Sequence, residues 1–180
     1  MTRILALSGS LRKGSYNSTL LRAARELHPQ AVLIGSIREI PLYNADLESA
    51  EFPATVERLK QQVVAADGVL LASPEYNNSV PGVLKNAIDW LSRPSPDIHH
   101  VFRNKPVAVI GASPGGFGTI SAQTAWLPVW RALGARHWSG GRLLVSHAHK
   151  KLAEHGMLND PDLRGRLEAF VSGFLEFCER

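Results

Sequence analysis

Hydrophobic positions along the 180-residue chain fall into short blocks separated by polar stretches marked with proline and glycine. Five blocks have strand length: Ile4–Leu7, Val32–Ile34, Val69–Ala72, Val107–Ile110 and Leu143–Val145. They run nearly continuously instead of alternating, the pattern of strands covered on both faces of a parallel sheet. Between them, apolar residues recur at helical spacing. Asn17–Leu27 sets Leu20, Leu21, Ala24 and Leu27 on one face, with Pro29 just beyond. Pro53–Ala66 opens on a proline suited to the first helical position and carries the stripe Val56, Leu59, Val63 and Ala66. Pro81–Leu91 starts the same way and stops at Ser92-Arg93-Pro94. Thr119–Leu133 and Pro161–Glu179 complete the set, and Pro128 is expected to kink or interrupt the fourth helix.

Five strands alternating with about five helices predict a doubly wound α/β fold, because right-handed crossovers place helices on both faces of a parallel sheet. No internal repeat, low-complexity tract or linker divides the chain, so residues 1–180 read as one domain. The longest loops are expected over 92–104 and 146–160. In such a sheet ligands bind outside the carboxyl ends of the strands, where the strand order reverses.

Composition narrows the function classes. The chain is 44% hydrophobic and 20% charged, the balance of a globular protein. No apolar run is long enough to span a bilayer. The amino terminus enters a strand-like run at once, without the pattern of a signal peptide, so a cytoplasmic location is expected. A single cysteine, Cys178, excludes an internal disulfide and a multi-cysteine metal site. The net charge of +4 is scattered, with no basic stripe interleaved with aromatics, so a nucleic-acid surface is not expected. A small anionic ligand suits this balance.

Three loops follow the first, third and fourth predicted strands. Ser8-Gly9-Ser10-Leu11-Arg12-Lys13-Gly14-Ser15-Tyr16-Asn17 brings hydroxyls, glycines, a guanidinium and a fresh helix start together, which is what a phosphate needs. It carries neither the GxxxxGK[ST] nor the GxGxxG spacing. A polar turn with Ser15 or Asn17 capping the helix would look the same. The second loop, Ser73-Pro74-Glu75-Tyr76-Asn77-Asn78-Ser79-Val80-Pro81-Gly82, offers a ring face and amides for a planar heteroaromatic, or simply a stiff turn. The third, Ala112-Ser113-Pro114-Gly115-Gly116-Phe117-Gly118, lets a backbone approach a flat ligand closely. A phosphate cradle on one loop and a ring cradle on the other two together describe a mononucleotide, flavin being the natural candidate.

At these residues the chain resembles the NADPH-dependent FMN reductase family of the flavodoxin-like superfamily, near the bacterial quinone reductases that also reduce chromate. The likeness rests on Gly9-Ser10-Leu11-Arg12 with Ser15 and Asn17. It also rests on Ser73-Pro74-Glu75-Tyr76-Asn77 running on through Val80-Pro81-Gly82-Val83-Leu84-Lys85-Asn86-Ala87-Ile88-Asp89-Trp90. Ser113-Pro114-Gly115, Phe117-Gly118 and Ala122-Gln123 extend it more loosely, and general similarity covers about residues 3–135. The resemblance implies a flavodoxin-like five-stranded sheet in the order 2-1-3-4-5. It implies that Ser10, Arg12, Ser15 and Asn17, with Ser18, hold the phosphate of FMN. Pro74, Glu75, Tyr76 and Asn77 would then line the isoalloxazine, with Ser113, Gly115 and Gly116 along its other edge. It further implies a homodimer or homotetramer, with the third predicted helix and neighbouring loops at the subunit contacts. Ser121 stands where related sequences often carry arginine.

Such a protein would take hydride from NADPH or NADH onto FMN and pass electrons to a quinone, or to chromate, azo or nitro compounds, in one open site. Flavin supplies the difficult chemistry, so no catalytic acid or base is expected. The alternative on the same fold is a flavodoxin-type electron carrier without its own NAD(P)H turnover, although such carriers usually present an acidic surface. His99-His100 and His147-Ala148-His149 lack the cysteine or paired carboxylate partners of a metal site, and none is expected. Cys178 lacks a histidine partner and is not expected to be a nucleophile. At least two of Trp90, Trp126, Trp130 and Trp138 are expected in the core.

Overall fold

The computed structural model describes residues 1–152 and 158–180. Its strands are β1 (Ile4–Ser8), β2 (Val32–Ile34), β3 (Gly68–Ala72), β4 (Pro106–Ala112), β5 (Arg136–His137) and β6 (Leu144–Val145). The helices are α1 (Tyr16–Leu27), α2 (Ala45–Ala50), α3 (Ala54–Ala65), α4 (Gly82–Leu91), α5 (Ile98–Val101), α6 (Ile120–Ala125), α7 (Leu127–Leu133), α8 (Ala148–Lys151) and α9 (Pro161–Cys178). All strand pairs are parallel, in the order β2-β1-β3-β4-β5, with β6 also on β4. This is the flavodoxin-like, doubly wound order.

The three central strands are buried along almost their whole length, which is why they read as continuous apolar runs. β2 forms the edge, and only Val32 of it is buried. Successive side chains enter opposite layers. Ile4, Ala6, Leu70, Ala108 and Ile110 pack with Leu20, Leu21 and Ala24 of α1 and with Leu167, Val171 and Phe174 of α9. Leu5, Leu7, Leu71, Val107 and Val109 pack with Leu59 and Val63 of α3, Leu84 and Ile88 of α4, and Trp130 of α7. Each such buried aliphatic side chain contributes roughly 1.5–3 kcal/mol relative to exposure, so the two layers hold the sheet rigid beneath the loops. Trp90, Trp126 and Trp130 are fully buried, the last two stacked at 5.1 Å. Among the described residues no helix is long and apolar enough to cross a membrane.

The fifth strand departs from expectation. Arg136–His137 pairs with Pro106–Val107, the chain leaves the sheet over 139–142, and Leu144–Val145 returns to pair with Gly111–Ala112. The excursion is built around Trp138, which packs edge-on against Phe170 at 4.7 Å and lies 5.8 Å from Phe174 on α9. Gly140 and Gly141 run along that indole so closely that a Cβ would come within 2.6 and 2.8 Å of it. The leading half-strand, Arg136–His137, has no apolar run by which sequence could announce it.

The fourth helix breaks at Trp126 into α6 and α7, two residues before Pro128, whose missing N–H cannot continue an unbroken ladder. Pro53 and Pro81 sit at the N-cap, one position before the first helical residue where the sequence pattern puts them. Helices α2, α5 and α8, and a 3₁₀ turn over Ser95–Asp97, arise where loops or no element are expected. α2 buries none of its residues and has no apolar stripe; the Asn44 side chain caps it by accepting the Asp46 N–H at 2.9 Å. Residues 153–157 of the loop expected over 146–160 lie outside the described residues.

Candidate functional site

The carboxyl ends of β1, β3 and β4 release the three loops, and these enclose a cleft of about 360 Å³. That volume lies within the ~300–1,000 Å³ usual for small-molecule sites. A larger groove of about 780 Å³ runs beside edge strand β2 and is lined by Arg3, Pro29, Leu33 and Ala66. It opens toward the amino ends of β1 and β3, away from the switch point, and gathers no loop hydroxyls. The smaller cleft is the candidate site.

The first loop is held by its own short side chains. Ser8 Oγ accepts the Ser10 N–H at 3.3 Å and Ser18 Oγ donates to Ser8 Oγ at 2.9 Å. Ser15, 2% exposed, caps α1 by accepting the Ser18 N–H at 3.3 Å. Arg12 is exposed on the rim, donates from Nη2 to Gly14 O at 2.6 Å and lies 5.4 Å from the Tyr16 ring centre. Among the described residues no acidic side chain pairs with it. Gly9 lets this loop press against the second: a Cβ there would stand 2.9 Å from both Pro74 Cδ and Leu84 Cδ2.

The second loop turns on two asparagines. Tyr76 and Ser79 exchange both main-chain hydrogen bonds, at 3.2 and 3.1 Å, around Asn77 and Asn78 with φ of 51° and 58°. Two successive positive φ values make a type I′ turn, which asparagine tolerates better than other residues with a side chain. Asn77 therefore shapes the turn that presents Tyr76. Glu75 Oε2 accepts the Ala122 N–H in the first turn of α6 at 3.0 Å, and Ser73 Oγ accepts from Trp126 Nε1 at 3.0 Å. Both bonds fasten the second loop to the segment that follows the third.

The third loop hangs from β6 and α8 by main chain. Ser113 N donates to Val145 O, His147 N to Gly115 O and Ala148 N to Ser113 O, all at 3.0 Å. Its far end turns at Thr119, whose φ is 70° and whose buried side chain rests over Gly111, where a Cβ would also come within 2.5 Å of Ser73 O. Asn17, 3% exposed, joins this loop to the first. Its Nδ2 donates to Ala112 O at 3.0 Å and its Oδ1 accepts the Ala112 N–H at 2.9 Å.

Of the twelve residues expected at the site, Ser10, Arg12, Ser15, Asn17, Pro74, Glu75, Tyr76 and Ser113 line the cleft. Ser18, Asn77, Gly115 and Gly116 stand behind or beyond its walls. Tyr16, Ala112 and Pro114 line it without having been singled out. Arg38, from the segment after β2, also went unseen; its Nη2 donates to Leu11 O at 2.6 Å and pins the first loop. Val145, His147 and Ala148 support the third loop through main-chain atoms, which leave no mark in side-chain pattern. His147 and His149 lie 6.3 Å apart, His99 pairs with Arg103, and among the described residues no group of three or more metal-ligating side chains gathers.

Residues 2–150 match the model of the NADPH-dependent FMN reductase family. The chain is 43% identical over 164 residues to an NAD(P)H-dependent FMN reductase of Pseudomonas aeruginosa, covering 90% of this chain and 87% of that one. It is 36% identical over 174 residues to a 2-hydroxy-1,4-benzoquinone reductase of Burkholderia sp, covering 96% and 93%. Among solved structures, the flavoenzyme NAD(P)H:(acceptor) oxidoreductase FerB of Paracoccus denitrificans superposes with a TM-score of 0.88. That match has 33% identity and covers 99% of this chain and 98% of the other. The chain belongs to the NADPH-dependent FMN reductase family.

Proposed function

We propose that the chain is an FMN-dependent NAD(P)H oxidoreductase that passes hydride from NADPH or NADH to bound FMN and electrons on to a quinone-like acceptor. The observation that carries this reading is the convergence of three loops on one cleft, with their separations held by Asn17 and Glu75. The donor set fits FMN. At one end Ser10, Ser15 and Arg12 stand beside the amino end of the twelve-residue α1, which suits a phosphate. At the other, Pro74, Tyr76 and Ser113 provide an apolar wall and a hydroxyl, which suits a flat ring edge.

When bound, FMN supplies the hydride-accepting and electron-donating chemistry. The residues of this chain bind and orient. Ser15 keeps its hydroxyl hydrogen for a ligand, since its oxygen already accepts from Ser18 N. Arg12 adds charge, and among the described residues no carboxylate pairs with it. Tyr76, 46% exposed, forms the side wall where coenzyme and acceptor would take turns. The activities of the Pseudomonas and Burkholderia relatives support the coenzyme and the quinone acceptor; azo, nitro and chromate acceptors would use the same open site. The reading extends to residues 1–180 acting as one cytoplasmic FMN-binding unit. It extends also to a homodimer or homotetramer, which the exposed Leu42 and Phe117 would help bury.

Purified protein should be yellow, release about one FMN per chain, and bleach anaerobically with NADPH or NADH alone, the colour returning on addition of a quinone. Recovery of FAD would overturn the cofactor assignment, and bleaching only with a separate reductase would make the protein an electron carrier. Arg12→Ala should weaken FMN retention about tenfold or more, while hydride transfer in saturated protein is little changed.

A further inference from the structure

A second, smaller pocket of about 250 Å³ lies on the far side of the first loop from the cleft, between the carboxyl ends of β1 and β2. Ser10 lines both, so the two spaces are separated only by the loop. Two guanidinium groups, Arg22 from α1 and Arg38 from the segment after β2, line it together with Ser18 and Ser36. Each guanidinium is steadied by a neutral acceptor: Arg22 Nη2 donates to Thr19 Oγ1 at 3.0 Å and Arg38 Nη2 to Leu11 O. Among the described residues neither has a carboxylate within ion-pair distance. Ser36 Oγ accepts the Arg38 N–H at 3.2 Å and so keeps its own hydrogen to donate.

Two like charges held on one pocket repel, and an anion that accepts from both relieves that cost. Two guanidinium groups and a serine hydroxyl lining one pocket suit a tetrahedral dianion, which accepts from several directions, better than a planar carboxylate. Given FMN and NAD(P)H in the neighbouring cleft, a reading on which this inference rests, the ligand must have its reacting end there and a phosphate monoester across the first loop. NADPH differs from NADH by such a group, the 2′-phosphate of its adenosine. We propose that the Arg22–Arg38 pocket binds the 2′-phosphate of NADPH and sets a preference for NADPH over NADH.

Two measurements test this. On FMN-loaded protein, calorimetry should show adenosine 2′,5′-bisphosphate binding about tenfold or more tighter than adenosine 5′-monophosphate, a contrast lost in Arg22→Gln. Equal binding of the two nucleotides by the unmodified protein would overturn the proposal whether or not it turns over any acceptor. In steady-state assays, Arg22→Gln and Arg38→Gln should each lower the NADPH-to-NADH ratio of kcat/KM by about tenfold. Arg22→Glu should lower it further. A uniform loss with both coenzymes would overturn the proposal. So would loss of FMN with an unchanged ratio, which would assign the pocket to the phosphate of FMN itself. Failure of the reductase reading would look different: normal nucleotide discrimination in a protein that NADPH does not bleach.

Discussion

Asn17→Ala is the sharpest test of how the site is built. In sequence Asn17 looks like a phosphate ligand, whereas in the structure both ends of its amide are spent on the main chain of Ala112 at the end of β4. The residue is 3% exposed, so removing the amide strands a buried N–H and a buried carbonyl together. Each such orphan costs about 1–3 kcal/mol, giving roughly 2–6 kcal/mol for the pair. Against a total stability of about 5–15 kcal/mol that is a large share. At roughly 2–4 °C per kcal/mol for a domain of this size, Tm should fall by about 4–24 °C. The assay is urea unfolding and thermal melting of FMN-free protein, with Ser15→Ala as a comparison, since losing that cap costs about 1 kcal/mol. A ligand role alone would leave the FMN-free protein unaffected. If Asn17→Ala lost less than Ser15→Ala without FMN yet bound FMN poorly, the assignment of Asn17 as the tie between the first and third loops would be wrong.

Glu75→Ala should cost about 1–2 kcal/mol in unfolding experiments by freeing the Ala122 N–H, and Glu75→Gln should restore most of it because an amide oxygen still accepts. Gly68→Ala should be strongly destabilising, since its Cβ would come within 2.5 Å of Cys178 Sγ and 3.0 Å of Phe174 Cζ. Adding Cys178→Ala should recover part of the loss, a coupling of about 0.5–3 kcal/mol in a double-mutant cycle, and strict additivity would refute the contact. Burial, with Asp67 nearby, pushes the Cys178 thiol up from its ordinary 9.0 to about 12. A raised pKa gives stability that is complete below pH 9 and is lost as pH climbs from 9 toward 12. Wild type should therefore lose more stability than Cys178→Ala between pH 9 and 11, measured by urea midpoints; parallel curves would refute it.

Patterns set by near neighbours were legible in the chain. β1, β3 and β4 could be read because burial on both faces demands unbroken apolar runs, and α1, α3 and α4 because one-sided burial repeats every 3.6 residues. Alternation of the two, with the rule that doubly wound sheets bind at strand carboxyl ends, was enough to find the three loops. The shape of the fifth strand was not legible. It depends on Trp138 seating against Phe170 and Phe174, whose partnership no local pattern expresses. α2 and α8 were missed for the opposite reason, being too short and too exposed to carry a stripe.

At the site, the residues of three loops after predicted strands were enough to bring hydroxyls, a guanidinium and a tyrosine to one edge of the sheet. Which of them face the ligand space was decided only in three dimensions. Asn17 finds Ala112 across 95 residues and Glu75 finds Ala122 across 47, while Arg38 reaches back 27 residues to Leu11. A side chain of a given type can serve ligand or scaffold with the same chemistry. The choice falls to whichever buried main-chain group would otherwise go unpaired, and that depends on where the sheet brings distant segments together.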